Sequence, residues 1–268
     1  MDIKEFINVL YPKNIKCIIC NSELSTNTHY SICDKCMKSL PFISGKVCVK
    51  CGEPIVSDGS YCVHCKNEMP RFKMCRSVFI YRDPIRNLIR SLKYDNKKYL
   101  SDTLSSFVAS EFVNMAIDVD LVVPVPISEH RRKIRGYNQA ELLCVVLKDK
   151  LHLNVKSDLL VKVKETSSQA YLSKDEREKN LDGAFAVSDK AEVKGKTVLI
   201  VDDVYTTGTT LNECTETLLK AGAKEVYCIT LARADKNRGD DDNVKKRLNV
   251  WQKISRSIKG NMQNDMEK

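Results

Sequence analysis

The fold of this chain is decided by the stretch Val198-Leu199-Ile200-Val201-Asp202-Asp203-Val204-Tyr205-Thr206-Thr207-Gly208-Thr209-Thr210. Four consecutive apolar residues are typical of a strand that is buried on both faces, and here they are followed by two acids. A short loop of threonines and one glycine then leads into a segment with helical spacing over 209–221. The stretch therefore predicts a strand, a polar loop and a helix, with polar groups at the carboxyl end of the strand.

Strands and helices alternate along the rest of this region. Three further apolar runs predict strands, at 77–81, 121–125 and 226–231. Apolar residues at helical spacing predict helices over 84–93, 99–115 and 138–151. This alternation indicates an α/β fold, in which a parallel sheet is flanked by helices.

The threonine-glycine loop at 206–210, which follows the strand at 198–201, suits a sugar phosphate. Exposed N–H groups at a helix N-terminus bind anions, and glycine lets the backbone approach a phosphate. Two carboxylates beside such a loop can accept hydrogen bonds from a sugar diol. The predicted assignment gives the 2- and 3-hydroxyls of a ribose to Asp202 and Asp203. Its 5-phosphate goes to Thr206, Thr207, Gly208, Thr209 and Thr210. The alternative is an ordinary turn in which a threonine caps the helix.

Eight of the twelve cysteines form four Cys-x-x-Cys pairs within the first 65 residues. The pairs are Cys17/Cys20, Cys33/Cys36, Cys48/Cys51 and Cys62/Cys65. Two such pairs supply the four thiolates of a structural zinc site, so the spacing predicts two Zn²⁺ ions, most simply with sequential pairing. A crossed pairing stays open, and a redox role would need only one pair. The remaining cysteines, at 75, 144, 214 and 228, are expected to be buried small apolar residues.

Composition and charge exclude several classes of protein. The 268 residues include 44 Lys/Arg and 35 Asp/Glu, a net charge of +9, and 43% are hydrophobic. No run approaches the ~20 apolar residues of a membrane span, and no secretory signal precedes the first cysteines. A cytoplasmic location is therefore expected, where disulfides rarely persist. A disulfide scaffold, a membrane protein and a disordered chain are excluded.

The chain resembles the ComF family of competence proteins, which are built on the fold of type I phosphoribosyltransferases. The resemblance covers most of residues 17–233. Besides the cysteine pairs and the stretch at 198–210, it rests on the motifs Leu121–Pro126, Arg131-Arg132 with Arg135–Ala140, Gln169 to Phe185, and Leu231-Ala232-Arg233. It implies that 198–210 is the signature for phosphoribosyl pyrophosphate (PRPP).

The resemblance also implies roles for residues outside the signature. The loop after the central strand would hold the pyrophosphate of PRPP with its Mg²⁺, and a polar stretch at 164–180 would form a flap over it. The candidate contacts are Ser128, Arg131, Arg132, Arg135, Lys164, Gln169 and Arg177. Basic groups there would offset the charge of a diphosphate. The alternatives are a solvated helix start and an ordinary surface loop.

Three functions remain open on the sequence. The first is a PRPP-dependent phosphoribosyltransferase with an unidentified acceptor. The second, implied by the resemblance, is the handling of imported single-stranded DNA in natural competence, beside a helicase-like partner. The net charge suits a polyanion, although the same basic cluster would be needed for PRPP. The third is a regulator that senses PRPP without turnover.

The predicted organisation has three parts. A small double zinc-ribbon module covers 1–70 and a phosphoribosyltransferase-like domain covers 71–234. Residues 235–268 form a polar linker and an amphipathic helix, with Val244, Leu248 and Trp251 on its apolar face.

Overall fold

A computed structural model describes residues 15–24, 30–56, 58–164 and 183–234. These residues belong to two compact units, one ending at Pro41 and the other beginning at Phe42. The first unit contains the first four paired cysteines and the helix α1 (Asp34–Lys38). The second unit contains the other four paired cysteines together with the sheet, whereas the sequence prediction draws its boundary between residues 70 and 71. The predicted C-terminal helix lies outside the described residues.

The second unit is built on a four-stranded parallel sheet with the strand order β1–β6–β5–β2. Its strands are β1 (Met74–Ile80), β2 (Leu121–Pro124), β5 (Thr197–Tyr205) and β6 (Glu225–Arg233). A separate antiparallel pair consists of β3 (Leu160–Lys162) and β4 (Phe185–Val187). The predicted α/β fold with a parallel sheet is confirmed.

Eight helices of the described residues belong to this second unit. They are α2 (Val63–Asn67), α3 (Ile85–Tyr94), α4 (Leu100–Met115), α5 (Glu129–Arg135), α6 (Gln139–Leu143), α7 (Val145–Asp149), α8 (Lys190–Val193) and α9 (Thr209–Lys220). Helix α4 packs on β1 and β6, α6 packs on β5, and α9 packs on β5 and β6. Across the described residues, no helix combines the length and the apolar character needed to span a membrane.

Burial explains why the apolar runs are strands at the centre of the sheet. Residues 198–201 of β5 are all fully buried. Because successive side chains of a strand point to opposite faces, both faces of β5 are covered. In one part of the core, the rings of Phe42, Phe79 and Phe107 pack in tilted and edge-to-face arrangements, with centroids 4.7 to 5.9 Å apart. The sheet is therefore a rigid base for the loops at its carboxyl edge.

The helix predicted over 138–151 is instead two short helices, α6 and α7, that meet at Cys144. The Cys144 N–H donates to the carbonyl of Glu141 at 3.0 Å, while the thiol donates to the carbonyl of Ala140 at 3.3 Å. The thiol thus takes the acceptor that a continuous helix would offer to the backbone N–H. The segment predicted as one helix is therefore divided at Cys144.

Candidate ligand site and zinc centres

The loop between β5 and α9 forms an anion-binding cradle at the carboxyl edge of the sheet. Gly208 is the N-cap of α9, with φ of 87°, and the Thr209 N–H donates to Thr207 Oγ1 at 3.4 Å. The hydroxyl oxygens of Thr207 and Thr209 lie 2.8 Å apart. A Cβ at position 208 would collide with the hydroxyl of Tyr205, so this position requires glycine. Hydroxyl and N–H groups of 206–210 are thereby gathered at the start of a twelve-residue helix.

The two acids of the signature lie at the carboxyl end of β5, next to this loop. Asp203 is buried and forms an ion pair with Lys93, which lies near the end of α3. Asp202 accepts a hydrogen bond from the Asp203 N–H at 2.8 Å, which holds its carboxylate beside that of Asp203. The two carboxyl groups therefore lie side by side a few residues before the loop, with Asp203 buried.

The two carboxyl groups have opposite pKa shifts. Burial disfavours the charged form of Asp203, but the charge and hydrogen bond of Lys93, together with the neighbouring Asp202 and Gln139, outweigh burial, so the pKa of Asp203 lies below its usual range. The pKa of Asp202 lies well above its usual range because of burial and the neighbouring charge of Asp203. Asp203 therefore keeps a fixed negative charge, while Asp202 takes up a proton more readily. Such a pair can both accept and donate hydrogen bonds to hydroxyl groups.

Gln139 connects the acids to the basic helix α5. Its side-chain oxygen accepts a hydrogen bond from Arg135, and its amide lies close enough to Asp203 to help lower the pKa of that acid. Asn138 donates to the carbonyl of Val125 at 3.0 Å and accepts from the Ala140 N–H at 3.1 Å, which holds the turn before α6 against the end of β2. The segment that the resemblance assigns to pyrophosphate thus adjoins the acid pair.

The other residues proposed from the resemblance have separate positions. Ser128 is buried and caps α5, because its hydroxyl accepts from the Arg131 N–H at 3.4 Å. Arg132 is exposed and lies 3.4 Å from a carboxylate oxygen of Glu141. Lys164 lies two residues after the end of β3, and its side chain is exposed. Gln169 and Arg177 lie outside the described residues. Their roles toward PRPP remain predictions.

Sequence reasoning missed Lys93 and Gln139. Lys93 belongs to an amphipathic helix, where a lysine is ordinarily exposed, and nothing in its neighbourhood along the chain distinguishes it. Gln139 belongs to the motif Arg135–Ala140, so the resemblance contains it but assigns it no role. Both residues meet Asp203 only because α3 and α6 approach β5.

The eight paired cysteines form two separate four-thiol clusters, as sequential pairing predicts. One consists of Cys17, Cys20, Cys33 and Cys36, and the other of Cys48, Cys51, Cys62 and Cys65. Within each cluster the sulfur atoms lie within 4.8 Å of one another. The pairs Cys20–Cys33 and Cys51–Cys62 have sulfur separations of 3.7 and 3.6 Å. Zn–S bonds of about 2.3 Å in a tetrahedron place sulfurs roughly 3.8 Å apart, so both clusters fit Zn²⁺.

All twelve cysteines lie in the described ranges and all are free thiols. The four that were expected to be incidental, Cys75, Cys144, Cys214 and Cys228, are buried, which confirms that expectation. Four thiolates complete the coordination of Zn²⁺ and leave no position for a substrate. The clusters therefore suit structural zinc rather than catalytic zinc.

The second cluster is joined directly to the sheet. The Cys75 N–H, in β1, donates to the carbonyl of Lys50 at 2.7 Å. Gly52 follows the ligand Cys51 with φ of 74°, and a Cβ there would lie 2.8 Å from the carbonyl oxygen of Cys75. The turn at 48–52 therefore lies flat against the edge strand β1.

Comparisons with known proteins agree with both parts of this architecture. Residues 6–66 match the double zinc ribbon domain, and residues 142–260 match the phosphoribosyl transferase domain. The second match continues past the end predicted at 234. The chain is 33% identical over 229 residues to Competence protein F of Haemophilus influenzae, covering 82% of this chain and 98% of that one. It is 30% identical over 220 residues to the DNA utilization protein YhgH of Escherichia coli, covering 80% and 95%.

A solved structure, the glutamine PRPP amidotransferase from B. subtilis complexed with ADP and GMP, is also similar. The TM-score is 0.37 with 17% identity, over 53% of this chain and 30% of the amidotransferase. The fold, the loop at the end of β5 and the cysteine clusters define a protein of the phosphoribosyltransferase fold with a double zinc ribbon. The chain belongs to the ComF family of competence proteins.

Zinc content provides a first test of the site. Purified protein is expected to carry two zinc ions per chain by mass spectrometry of the metal, because each cluster supplies four thiolates. Replacing Cys48 with serine removes one ligand of the second cluster and is expected to leave about one zinc. Cys214→Ser, at a buried cysteine outside both clusters, serves as the control and keeps two. A wild-type zinc content near zero, in protein purified without chelators, would contradict the assignment.

The pairing of Lys93 with Asp203 provides a second test. Lys93→Gln leaves a buried carboxylate without its cation and is expected to lower the free energy of unfolding by about 3 kcal/mol at pH 7. Because the pKa of Asp203 is lowered in the folded protein, the pair stabilises the fold above the usual aspartate pKa and this contribution is lost as the pH falls. The difference from wild type should therefore persist down to about pH 4 and narrow below it, as the pH falls towards the lowered pKa of Asp203. Urea denaturation of the wild type and the variant at each pH measures this difference in the free energy of unfolding.

Lys97→Gln, an exposed lysine of the same region, is the matched control and should leave the stability within about 0.5 kcal/mol of wild type. A Lys93→Gln variant as stable as this control at pH 7 would show that the ion pair does not hold Asp203.

Proposed function

We propose that the carboxyl edge of the sheet binds PRPP together with Mg²⁺. One observation carries the proposal. Asp203, which is ion-paired with Lys93, and its neighbour Asp202 lie beside the threonine-glycine loop at the N-terminus of α9. A 5-phosphate would lie on the N–H and hydroxyl groups of 206–210, and the two carboxyls would hold the ribose diol.

Lys93 and Gln139 serve this arrangement by holding Asp203 charged and oriented. Arg135, which hydrogen-bonds Gln139, adds positive charge on the side where a diphosphate would lie. Mg²⁺ prefers oxygen ligands and keeps several waters, and the carboxylates of Asp202 and Asp203 are donors of this kind. When bound, Mg²⁺ would offset negative charge on the pyrophosphate.

Transfer, where it occurs, would be a displacement at C1 of the ribose. The bond from C1 to the pyrophosphate oxygen breaks, the pyrophosphate leaves with the electron pair, and a nitrogen of the acceptor bonds to C1. The residues described here would position the sugar and the phosphates and stabilise charge. Release of pyrophosphate that depends on an added base would support an enzyme, whereas binding without release would support a sensor of PRPP.

Binding of PRPP is tested by calorimetry with wild-type protein, with and without Mg²⁺. Asp202→Asn removes a carboxyl group that can exchange hydrogen bonds with the ribose hydroxyls and is expected to weaken binding about twofold to tenfold, because a typical hydrogen bond contributes about 0.5–1.5 kcal/mol. Asp158→Asn, at an exposed aspartate, is the matched control and should bind as wild type does. No binding by wild type at millimolar PRPP would refute the proposal.

A second candidate function is the handling of single-stranded DNA, and a specific surface favours it. Tyr94 is 73% exposed, with the Arg135 guanidinium 5.4 Å from its ring centroid, and Tyr99 is 63% exposed. Beside them, the Lys98 ammonium lies 4.8 Å from the ring of Tyr137. Single-strand binding combines such cations, for the phosphates, with rings on which bases stack.

Other considerations also support the handling of DNA. Residues 76–150 contain thirteen Lys/Arg and nine Asp/Glu, a net charge of +4. The names of the two relatives, a competence protein and a DNA utilization protein, point to the same role. In this proposal the protein acts in the cytoplasm on imported single strands, beside a helicase-like partner.

Binding to a 20-nucleotide oligo-dT, measured by fluorescence anisotropy, tests the role of this surface. Tyr94→Ser is expected to weaken binding about tenfold through the loss of base stacking. Tyr61→Ser, which removes a partly exposed tyrosine beside the second cysteine cluster, is the control and should have no effect. Affinity should fall steeply with salt, and each phosphate-binding cation that is removed should reduce the logarithmic slope by about 0.7. Equal losses for the two tyrosine variants would refute this location.

A further inference from the structure

Arg233 is a fully buried arginine at the carboxyl end of β6, and its side chain lies between the second cysteine cluster and the sheet. It is 1% exposed. Its guanidinium donates to the carbonyl of Cys51 at 2.7 Å and forms an ion pair with the carboxylate of Glu53. Burying a guanidinium is costly unless its charge is paired and its N–H groups are bonded. The turn that contains the ligand Cys51 therefore supplies the partners that this arginine requires.

The other side of Arg233 faces Tyr205, the last residue of β5. The guanidinium carbon lies 4.8 Å from the centre of the Tyr205 ring, and the two residues are aligned in the β5–β6 register. Tyr205 is 2% exposed, and its hydroxyl has no hydrogen-bond partner among the described residues. That hydroxyl lies directly beneath Gly208, where a Cβ would collide with it. The Tyr205 side chain thus packs against Gly208 of the phosphate loop.

The turn of the second cluster is closed by backbone hydrogen bonds. The Cys48 N–H donates to the carbonyl of Glu53 at 2.7 Å, and the Gly52 N–H donates to the carbonyl of Cys48 at 2.9 Å. Zn²⁺ bound by Cys48 and Cys51 would hold this turn closed, and with it the Cys51 carbonyl and the Glu53 carboxylate that bind Arg233. A series of contacts runs from the cluster through Arg233 and Tyr205 to Gly208.

We propose that Arg233 is a positioning residue through which the second zinc centre supports the phosphate loop. This inference rests on the proposed function, binding of PRPP at that loop. Its consequence is thermodynamic: Zn²⁺ in the second cluster strengthens PRPP binding, and PRPP strengthens zinc binding at that cluster by the same factor. The second zinc would then have a part in ligand binding beyond holding its own ribbon together.

The first experiment changes the ribbon side of the contact and leaves every cysteine in place. Glu53→Gln keeps the shape of the side chain but removes the negative charge that pairs with Arg233. PRPP binding, measured by calorimetry in Mg²⁺, is expected to weaken about fivefold or more, in the usual range of coupling between two sites. Glu23→Gln, the same change at an exposed glutamate near the first cluster, is the matched control and should bind PRPP as wild type does.

The second experiment needs no variant, so it decides the matter even where Glu53→Gln fails to fold. Zinc affinity of wild-type protein is measured by equilibrium competition with a coloured chelator, without and with saturating PRPP. One of the two zinc equivalents is expected to bind about fivefold more tightly with PRPP present, and the other to stay unchanged. In folded Glu53→Gln protein, PRPP should increase the zinc affinity by a smaller factor than in wild type.

The outcomes separate this inference from the function on which it rests. Wild-type protein that does not bind PRPP would overturn the proposed function and, with it, this inference. Wild-type protein that binds PRPP with no change in either zinc affinity would overturn this inference alone. So would a folded Glu53→Gln variant that binds PRPP as tightly as wild type.

Discussion

A carboxylate buried at the end of a doubly covered strand needs a cation, and this requirement organises the ligand site. Asp203 follows the apolar run of β5 and is buried, so water cannot solvate its carboxylate. The ammonium of Lys93 neutralises that charge. Gln139 helps to lower the pKa of Asp203 and accepts a hydrogen bond from Arg135. Helix α3 therefore supplies Lys93 to the charge of Asp203, helix α6 places Gln139 beside it, and Arg135 of α5 contacts Gln139. The loop at 206–210 follows Asp203 along the chain.

The cysteine clusters solve a different physical problem. A segment as short as each ribbon buries little apolar surface, so four thiolates that share one Zn²⁺ replace a hydrophobic core. The second cluster also forms part of the compact unit that contains the sheet, because its turn lies on β1 and its carbonyl binds the buried Arg233. In this chain the arrangement places the turn of the second cluster behind the proposed phosphate loop.

Much of the fold and the core of the site could be predicted from local patterns. The runs at 121–125 and 198–201 are strands because only a sheet covered on both faces buries so many consecutive apolar side chains. The prediction of one helix over 138–151 was wrong in one respect: the segment is divided at Cys144, and apolar spacing, which continues on both sides of that residue, does not reveal the break. The boundaries of the other helices and of β2 agree to within about two residues, the usual uncertainty of helix ends.

The sequence by itself determined the parts that depend on neighbours along the chain. These are the sequential pairing of the cysteines, the glycine of the loop at 206–210, and the acids that precede it. Only the tertiary structure decided the partners of those groups, since Lys93 and Gln139 meet Asp203, and Glu53 meets Arg233, across many intervening residues. The physical reason is that a buried charge must be paired by whatever element packs against it. The choice of that element is a property of the whole fold.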